Sequence, residues 1–396
     1  MIRHLLKIVW HRKRMNALIM SEIFFSFLVV FSIATLGLYL LDNYRKPMGF
    51  SYENVWNVRM EIKGTGDDAL TGEQMDLFTR LLRETQSMDE VVMVAGAQEV
   101  PYDGSTSITT QEVDDRRVSI QIGEVTDRFA EVLDVDLVAG RWFEEGDGVH
   151  SWLPVVINRK LARDLFGDDD PLGQLMPFDD DPPQKIVGVV SDYRKHGEFA
   201  APVNFMFRRV GVGDPNDRPP RNLVFKVQPG ADAALEEALV ARLQSLARDF
   251  TFEVRILEEM RETGRRLILA PLLVGAMVAG FLMIMVGLGL IGVLWQNVTQ
   301  RTREIGLRRA TGAHGGQIRR QILGELWILT ALGLVLGVIV LVQLPLLDLV
   351  GFLPATVFWT GMGLAVAAIY TLATVSGVYP AWLATRIQPA EALHYE

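Results

Sequence analysis

Four long apolar runs divide the chain, over residues 16–41, 267–295, 323–350 and 356–378. At about 1.5 Å of rise per residue, each is long enough as a helix to cross a hydrocarbon core of roughly 30 Å. The first is too long for a signal peptide, and its end, LLDNYRKP, lacks a small-x-small cleavage site, so it reads as an uncleaved span. Ahead of it, residues 1–15 carry Leu5, Ile8 and Val9 against Arg3, Lys7 and Arg14, the pattern of an amphipathic helix at a membrane surface. Residues 42–266 are different. Alternation followed by 3.6-residue periodicity predicts a strand over 54–62, a helix near 72–84 and a strand over 90–97. The same β-α-β order returns at 222–227, 231–248 and 251–256. These read as two halves of one α+β lobe. Between them, roughly 104–205, lie short strands at 118–122, 155–157 and 186–190, a helix near 159–166 and many turns, which reads as a second lobe inserted into the first. A charged helical stalk, 258–266, leads into the second span, and Pro271 sits near its outer end, where a kink is tolerable.

Charge gives the runs a direction. Net charge is −9, yet residues 42–266 hold 42 acids and 27 bases while the rest of the chain holds 6 acids and 12 bases. The bases lie beside apolar runs, so membrane sidedness explains them better than nucleic acid does. The positive-inside rule places the N-terminus, the loop 296–322 and the tail 379–396 in the cytoplasm, and the large domain and the short link near 351–355 outside. The chain has no cysteine, which excludes disulfides and thiolate metal sites. His150 and His196 have no partners at metal-ligand spacing. Asp168–Asp170 and the acids at 179–181 read as solvated turns rather than a calcium loop. No nucleophile–base pattern stands out, and the cytoplasmic pieces are too short to fold a catalytic domain.

The loop after the second span reads QRTREIGLRRATGAHGGQIRRQILGE over 300–325 and carries six arginines. Glu304 and Arg308 stand four apart, Ile305 and Leu307 supply a short apolar edge, and Gly312, Gly315 and Gly316 are expected to end one short helix and allow a turn before the next. This segment, RTREIGLRRATGA, together with TDRFAEVLDVDLVAGRWF (126–143), PVVINRKLARDLFGDDDPLGQ (154–174), KIVGVVSDY (185–193) and YPAWLATRIQPAEALHYE (379–396), resembles the ATP-binding-cassette permeases of the MacB/FtsX-like family, the macrolide-exporter and lipoprotein-release type. The resemblance covers nearly the whole chain. It implies an α-helical membrane protein of four transmembrane helices with a large, two-lobed α+β extracytoplasmic domain between helices 1 and 2, one lobe inserted in the other. It also implies a bacterial inner-membrane location and pairing with a second permease chain, identical or not. Some relatives carry a fused ATPase; this sequence contains no Gly-Lys dipeptide and hence no Walker A loop, so no cofactor is expected in the chain itself, and ATP and magnesium belong to a partner ATPase dimer.

The resemblance assigns ATPase coupling to Arg301, Arg303, Glu304, Ile305, Gly306, Arg308, Arg309 and Gly312. The charge rule alone accounts for the arginines but not for Glu304, Gly306 and Gly312 at these spacings. Glu22, Glu325 and Gln343 are polar groups within or near spans, candidates for transport or, for Gln343, an interhelical hydrogen bond. Small residues four apart, Ala276 and Gly280, Gly333 and Gly337, Gly363 and Ala367, permit close helix contact, within the bundle or at a dimer seam. The expected function is a permease that couples hydrolysis by a separate ATPase to motion of the outer domain, exporting a substrate by mechanical transmission. Membrane lipid, a periplasmic adaptor and an outer-membrane channel are candidate partners. The alternative is an FtsX-like regulator that controls a cell-wall hydrolase or signalling partner without moving cargo.

Overall fold

The computed structural model describes residues 13–63, 74–113, 116–178, 181–210 and 218–386. Residues 1–12 of the expected surface helix and most of the tail 379–396 lie outside that set, as do two acids of the 179–181 cluster. The chain divides into two compact units: Asn43–Ile268, and a unit built on the four long apolar helices.

In the membrane unit the helices are α1 (Lys13–Tyr44), α6 (Leu257–Gln300), α8 (Gly315–Leu346) and α9 (Ala355–Ala384), with a short α7 (Thr302–Ala310) between α6 and α8. All four long ones are apolar enough to span a membrane. They share one core: Ile23 and Phe27 of α1, Val286 and Leu290 of α6, Leu334 of α8, and Phe358 and Ile369 of α9. Close approach needs glycine at two places. A Cβ on Gly333 would sit 2.9 Å from Ile23, and one on Gly337 would run into the Phe27 ring. Of the buried hydroxyls, Thr330 donates to the Leu326 carbonyl of its own helix at 3.0 Å. Helix α6 is the outlier, burying 6 % of its most apolar window against 33–39 % for the other three, so most of its apolar surface awaits lipid or another chain.

The other unit is built on a sheet of ten strands in the order β10-β1-β9-β2-β4-β8-β6-β7-β5, with β3 paired to β4. Its first half takes β1 (Val55–Ile62), α2 (Met75–Gln86) and β2 (Val91–Ala97) from one end of the domain. It takes β9 (Asn222–Val227), α5 (Ala233–Leu246) and β10 (Phe250–Ile256) from the other. The two β-α-β units interleave: β1 lies between β10 and β9, antiparallel to both, and β9 lies between β1 and β2. This is the split β-α-β arrangement. Leu235, Leu239 and Leu243 of α5 recur at i and i+4 and pack with Phe78 and Leu81 of α2 over Val58 and Phe225. Gly96 on β2 admits the Phe78 ring where a Cβ would collide.

The remaining strands are β3 (Ser107–Val113), β4 (Arg116–Val125), β5 (Leu137–Gly140), β6 (Leu153–Asn158), β7 (Gln184–Val190) and β8 (Phe205–Arg209), with a one-turn α3 (Phe129–Val132) and α4 (Arg159–Phe166). They join the first half through the β2–β4 pair Ala97↔Val125. The inserted lobe therefore extends the same sheet instead of forming a separate one. Asn158 fixes its centre. Fully buried, it caps α4 by accepting from Leu161 N at 3.0 Å, accepts from Phe205 N at 3.1 Å, and donates to Val203 O at 2.7 Å. Strand β3 has an exposed, half-polar pattern and a single neighbour, and β8 is a five-residue FMFRR; neither carries enough alternation to announce a strand.

Gly337→Val tests the membrane core. Overpacking against Phe27 is expected to lower stability by about 1–3 kcal/mol in thermal unfolding of the detergent-solubilised chain. Gly292→Ala, with nothing within 4 Å of its added Cβ, is expected to leave the transition in place or raise it slightly.

Candidate functional site

The basic segment forms a two-faced helix. Helix α7 turns Ile305 and Gly306 inward; Ile305 packs with Val298, Ile318 and Ala384. Arg303, Glu304, Leu307 and Arg308 point outward, with Leu307 56 % exposed. Two polar ties hold the helix. Arg301, just before it, donates to both oxygens of Glu325 at 3.1 and 2.9 Å, and Gln321 donates to the same carboxylate at 3.2 Å. On the outer face Arg308 donates to Glu304 at 2.6 Å and also reaches Gln321. Exposed pairs of this i, i+4 kind contribute about 0.3–0.5 kcal/mol. The helix ends in a Schellman turn: Ala313 N bonds Arg308 O at 3.0 Å, Gly312 N bonds Arg309 O at 3.1 Å, and Gly312 has φ +96°.

These positions sort the sequence-derived candidates. Arg303, Glu304 and Arg308 stand on the open face. Arg309 is half-buried, and Arg301, Ile305, Gly306 and Gly312 build the helix and its seat. Gly315 and Gly316 do not form a turn; they begin α8, whose N-terminus His314 and Gln317 close with a capping box. Glu325 is a structural counter-ion of Arg301. Glu22 is half-buried against α6, where a Cβ on Gly289 would lie 2.9 Å from its Oε2, and it has no hydrogen bond among the described residues. Gln343 lies exposed, and its side chain makes no hydrogen bond among the described residues, so the expected bond between helices is not made within the chain. Of the small-residue pairs, Gly333 and Gly337 pack on α1, whereas Ala276, Gly280, Gly363 and Ala367 are exposed.

The sheet domain holds a second constellation that the sequence did not disclose. The last carbonyls of a helix have no partner inside it. At the end of α1 and in the turn after it, one side chain supplies the donors. Arg194, 1 % exposed, donates Nη1 to Asn43 O at 2.8 Å, Glu198 O at 3.1 Å and Ala200 O at 3.0 Å. Its Nε donates to Pro47 O at 2.9 Å and its Nη2 to Lys46 O. Burial pulls the Arg194 pKa down, with Asp192, Glu198 and Tyr102 opposing. The ordinary arginine value lies so far above neutrality that the group stays charged. The cation also suits the negative pole of the helix. Four residues on, buried Glu198 forms ion pairs with Arg261 at 2.9 Å and Arg265 at 3.6 Å, both on the first turns of α6. Arg261 also lies over the Tyr52 ring at 4.3 Å, and Glu258 accepts from Asn54 N at 2.9 Å. The strap 191–200 between β7 and β8 thus holds the end of α1 with one residue and the start of α6 with another. Nearby, Lys195 pairs with Glu99, both buried, and His196 contacts Thr106 at 3.2 Å. His150, by contrast, stacks on Trp152 at 4.4 Å.

Arg194→Ala takes a donor from five carbonyls, of which Asn43 O keeps Lys46 N, and is expected to destabilise the domain by about 3 kcal/mol or more in denaturant unfolding. Glu198→Gln keeps the shape but removes the counter-ion of two arginines. Hydrogen exchange across 257–266 is expected to quicken while exchange in β1 and β9 stays unchanged.

Two family models match the chain. The family model for the MacB-like periplasmic core domain matches residues 17–242, and that for the FtsX-like permease C-terminal matches 276–389. Among relatives, the ABC transporter permease YknZ of Bacillus subtilis (strain 168) is 26 % identical over 285 residues, covering 69 % of this chain and 70 % of that one. The macrolide export ATP-binding/permease protein MacB 1/2 of Paracoccus denitrificans (strain Pd 1222) is 28 % identical over 282 residues, 69 % of this chain but 42 % of the relative. The chain thus spans less than half the length of the matched relatives named as ATP-binding/permease proteins, and 70 % of YknZ. The crystal structure of the periplasmic region of MacB from Actinobacillus actinomycetemcomitans aligns over 57 % of this chain and 96 % of its own, at 17 % identity and a TM-score of 0.40. With a core-domain match over more than half its length, which takes in the first membrane helix, and three more membrane helices after it, the chain belongs to the MacB/FtsX-like family of ABC transporter permeases.

Proposed function

We propose that this chain is the mechanical half of its transporter: a permease subunit that carries the work of a separate ATPase dimer to its extracytoplasmic domain and so drives export of a substrate. The observation that carries this reading is the two-faced α7. One face is seated on the chain's own helices through Ile305 and the Arg301–Glu325 pair, and the other presents Arg303, Glu304, Leu307 and Arg308. A helix anchored on one side and polar on the other can transmit a push without unfolding. The excess of bases beside the spans supports a cytoplasmic position for that face, and in this reading ATP and magnesium belong to the partner ATPase at a bacterial inner membrane.

Two further features support transmission over conduction. The membrane core is apolar, with small hydroxyls as its buried polar groups among the described residues. In the sheet domain the strap 191–200 holds Asn43 at the end of α1 and Arg261 and Arg265 at the start of α6. The exposed length of α6, with Ala276 and Gly280 on it, suits a seam with a second permease chain.

The test pairs the purified chain with its ATPase. Glu304→Ala with Arg308→Ala removes two of the three outward charges at a small folding cost. Affinity for the ATPase, or stimulated hydrolysis, is expected to fall about tenfold. Unaltered assembly together with unaltered stimulation contradicts the coupling role.

A further inference from the structure

At the basic end of the membrane unit, α8 and α9 leave an open groove of ≈ 640 Å³ between them. Arg319 and Arg320 stand at its mouth. Leu323 and Trp327 follow along α8 at helical spacing, and Tyr379 and Trp382 face them from α9. Trp327 donates its indole N–H to Thr374 at 3.0 Å, which fixes the inner end, and Arg386 lies 3.9 Å over the Trp382 ring. Charge at the outer end, with apolar and aromatic side chains mixed along the rest, offers a counter-charge to a lipid headgroup and an apolar wall to its acyl chain.

We infer that this groove binds an anionic phospholipid, with Arg319 and Arg320 taking the phosphate and headgroup charge and the Leu323–Trp327 face taking an acyl chain. Charge complementarity favours this occupant. Arg319 and Arg320 have no ion pair among the described residues. A second copy of the chain could bring Glu304 and Glu325 from its own basic end, but those acids are already paired with Arg308 and Arg301. A water-soluble partner cannot follow the groove inward along two membrane helices. The chain's own Glu391 and Glu396, beyond Arg386, are the remaining competing counter-charge. The inference rests on the membrane reading of α8 and α9 and not on ATPase coupling, so the two can fail separately.

Native mass spectrometry of the full-length chain, titrated with phosphatidylglycerol and with phosphatidylcholine of the same acyl chains, tests it. One phosphatidylglycerol per chain is expected to be retained with about tenfold preference, in line with the attraction of two basic residues for an anionic headgroup. Arg319→Gln with Arg320→Gln should abolish the preference, and Arg303→Gln, exposed but outside the groove, should keep it. Equal retention of the two lipids by the wild type, as a seated tail would give, overturns the inference. So does a preference that survives the double variant, an equal loss in Arg303→Gln, or a change in subunit stoichiometry without loss of lipid. If the double variant does not fold, quenching of wild-type tryptophan fluorescence decides. Brominated phosphatidylglycerol must quench more strongly than brominated phosphatidylcholine.

Discussion

A helix that ends inside a folded domain leaves carbonyl groups that must be answered, and here a single buried guanidinium answers them. Arg194 gives all its bonds to backbone oxygens, from Asn43, Lys46 and Pro47 on one side and from Glu198 and Ala200 on the other. Its charge matches the pole it faces, and its planar fork supplies enough donors to leave little unsatisfied. Lysine could not do this with three donors on one atom. Because Glu198 belongs to the same strap and binds Arg261 and Arg265, two helix ends far apart in sequence are tied to one short stretch of chain. The rest of the domain supports that stretch. Tyr193 is packed in an aromatic cluster with Phe50, Phe205 and Phe207 at 4.8–5.2 Å, and Lys195 is held by Glu99.

Much of the fold is legible in the sequence because it follows from periodicity. The four apolar runs are helices, and the two β-α-β units follow from alternation and 3.6-residue periodicity, though their interleaving does not. What could not be read has physical causes. Helix α1 runs on through Asp42, Asn43 and Tyr44 because its end is capped from Arg194, some 150 residues away, and backbone acceptors leave no mark in a sequence. Strand β3 is an exposed edge, and β8 is too short for a pattern. The Gly315–Gly316 pair resembles a turn, yet the capping box of His314 and Gln317 recruits it into α8. Arg261 and Arg265 stand at i and i+4, a spacing that usually marks a solvated face; their partner is a distant carboxylate.

The basic segment shows the same division. Its charge pattern and the family resemblance locate it, but they do not separate the residues that seat the helix from those that face outward. Geometry does. Arg301 and Ile305 are committed to the chain's own helices, while Arg303, Glu304, Leu307 and Arg308 lie on the open face. An uneven burial of the membrane helices points the same way: α6 exposes most of its apolar length, while α1, α8 and α9 supply the shared core.

The central proposal is that the strap 191–200 keeps the end of α1 and the start of α6 together within the sheet domain during the ATPase cycle. Because the chain contains no cysteine, spin labels can be placed by introducing two. Arg45 and Glu259, both exposed, flank the junction; Ser21 and Arg303, also exposed, report on the basic end of the membrane unit. Distances measured by electron double resonance in the complex with its ATPase, with and without a non-hydrolysable ATP analogue, decide the matter. The account predicts that the Ser21–Arg303 distance changes while the Arg45–Glu259 distance stays the same. A change of several ångströms between Arg45 and Glu259 would contradict it.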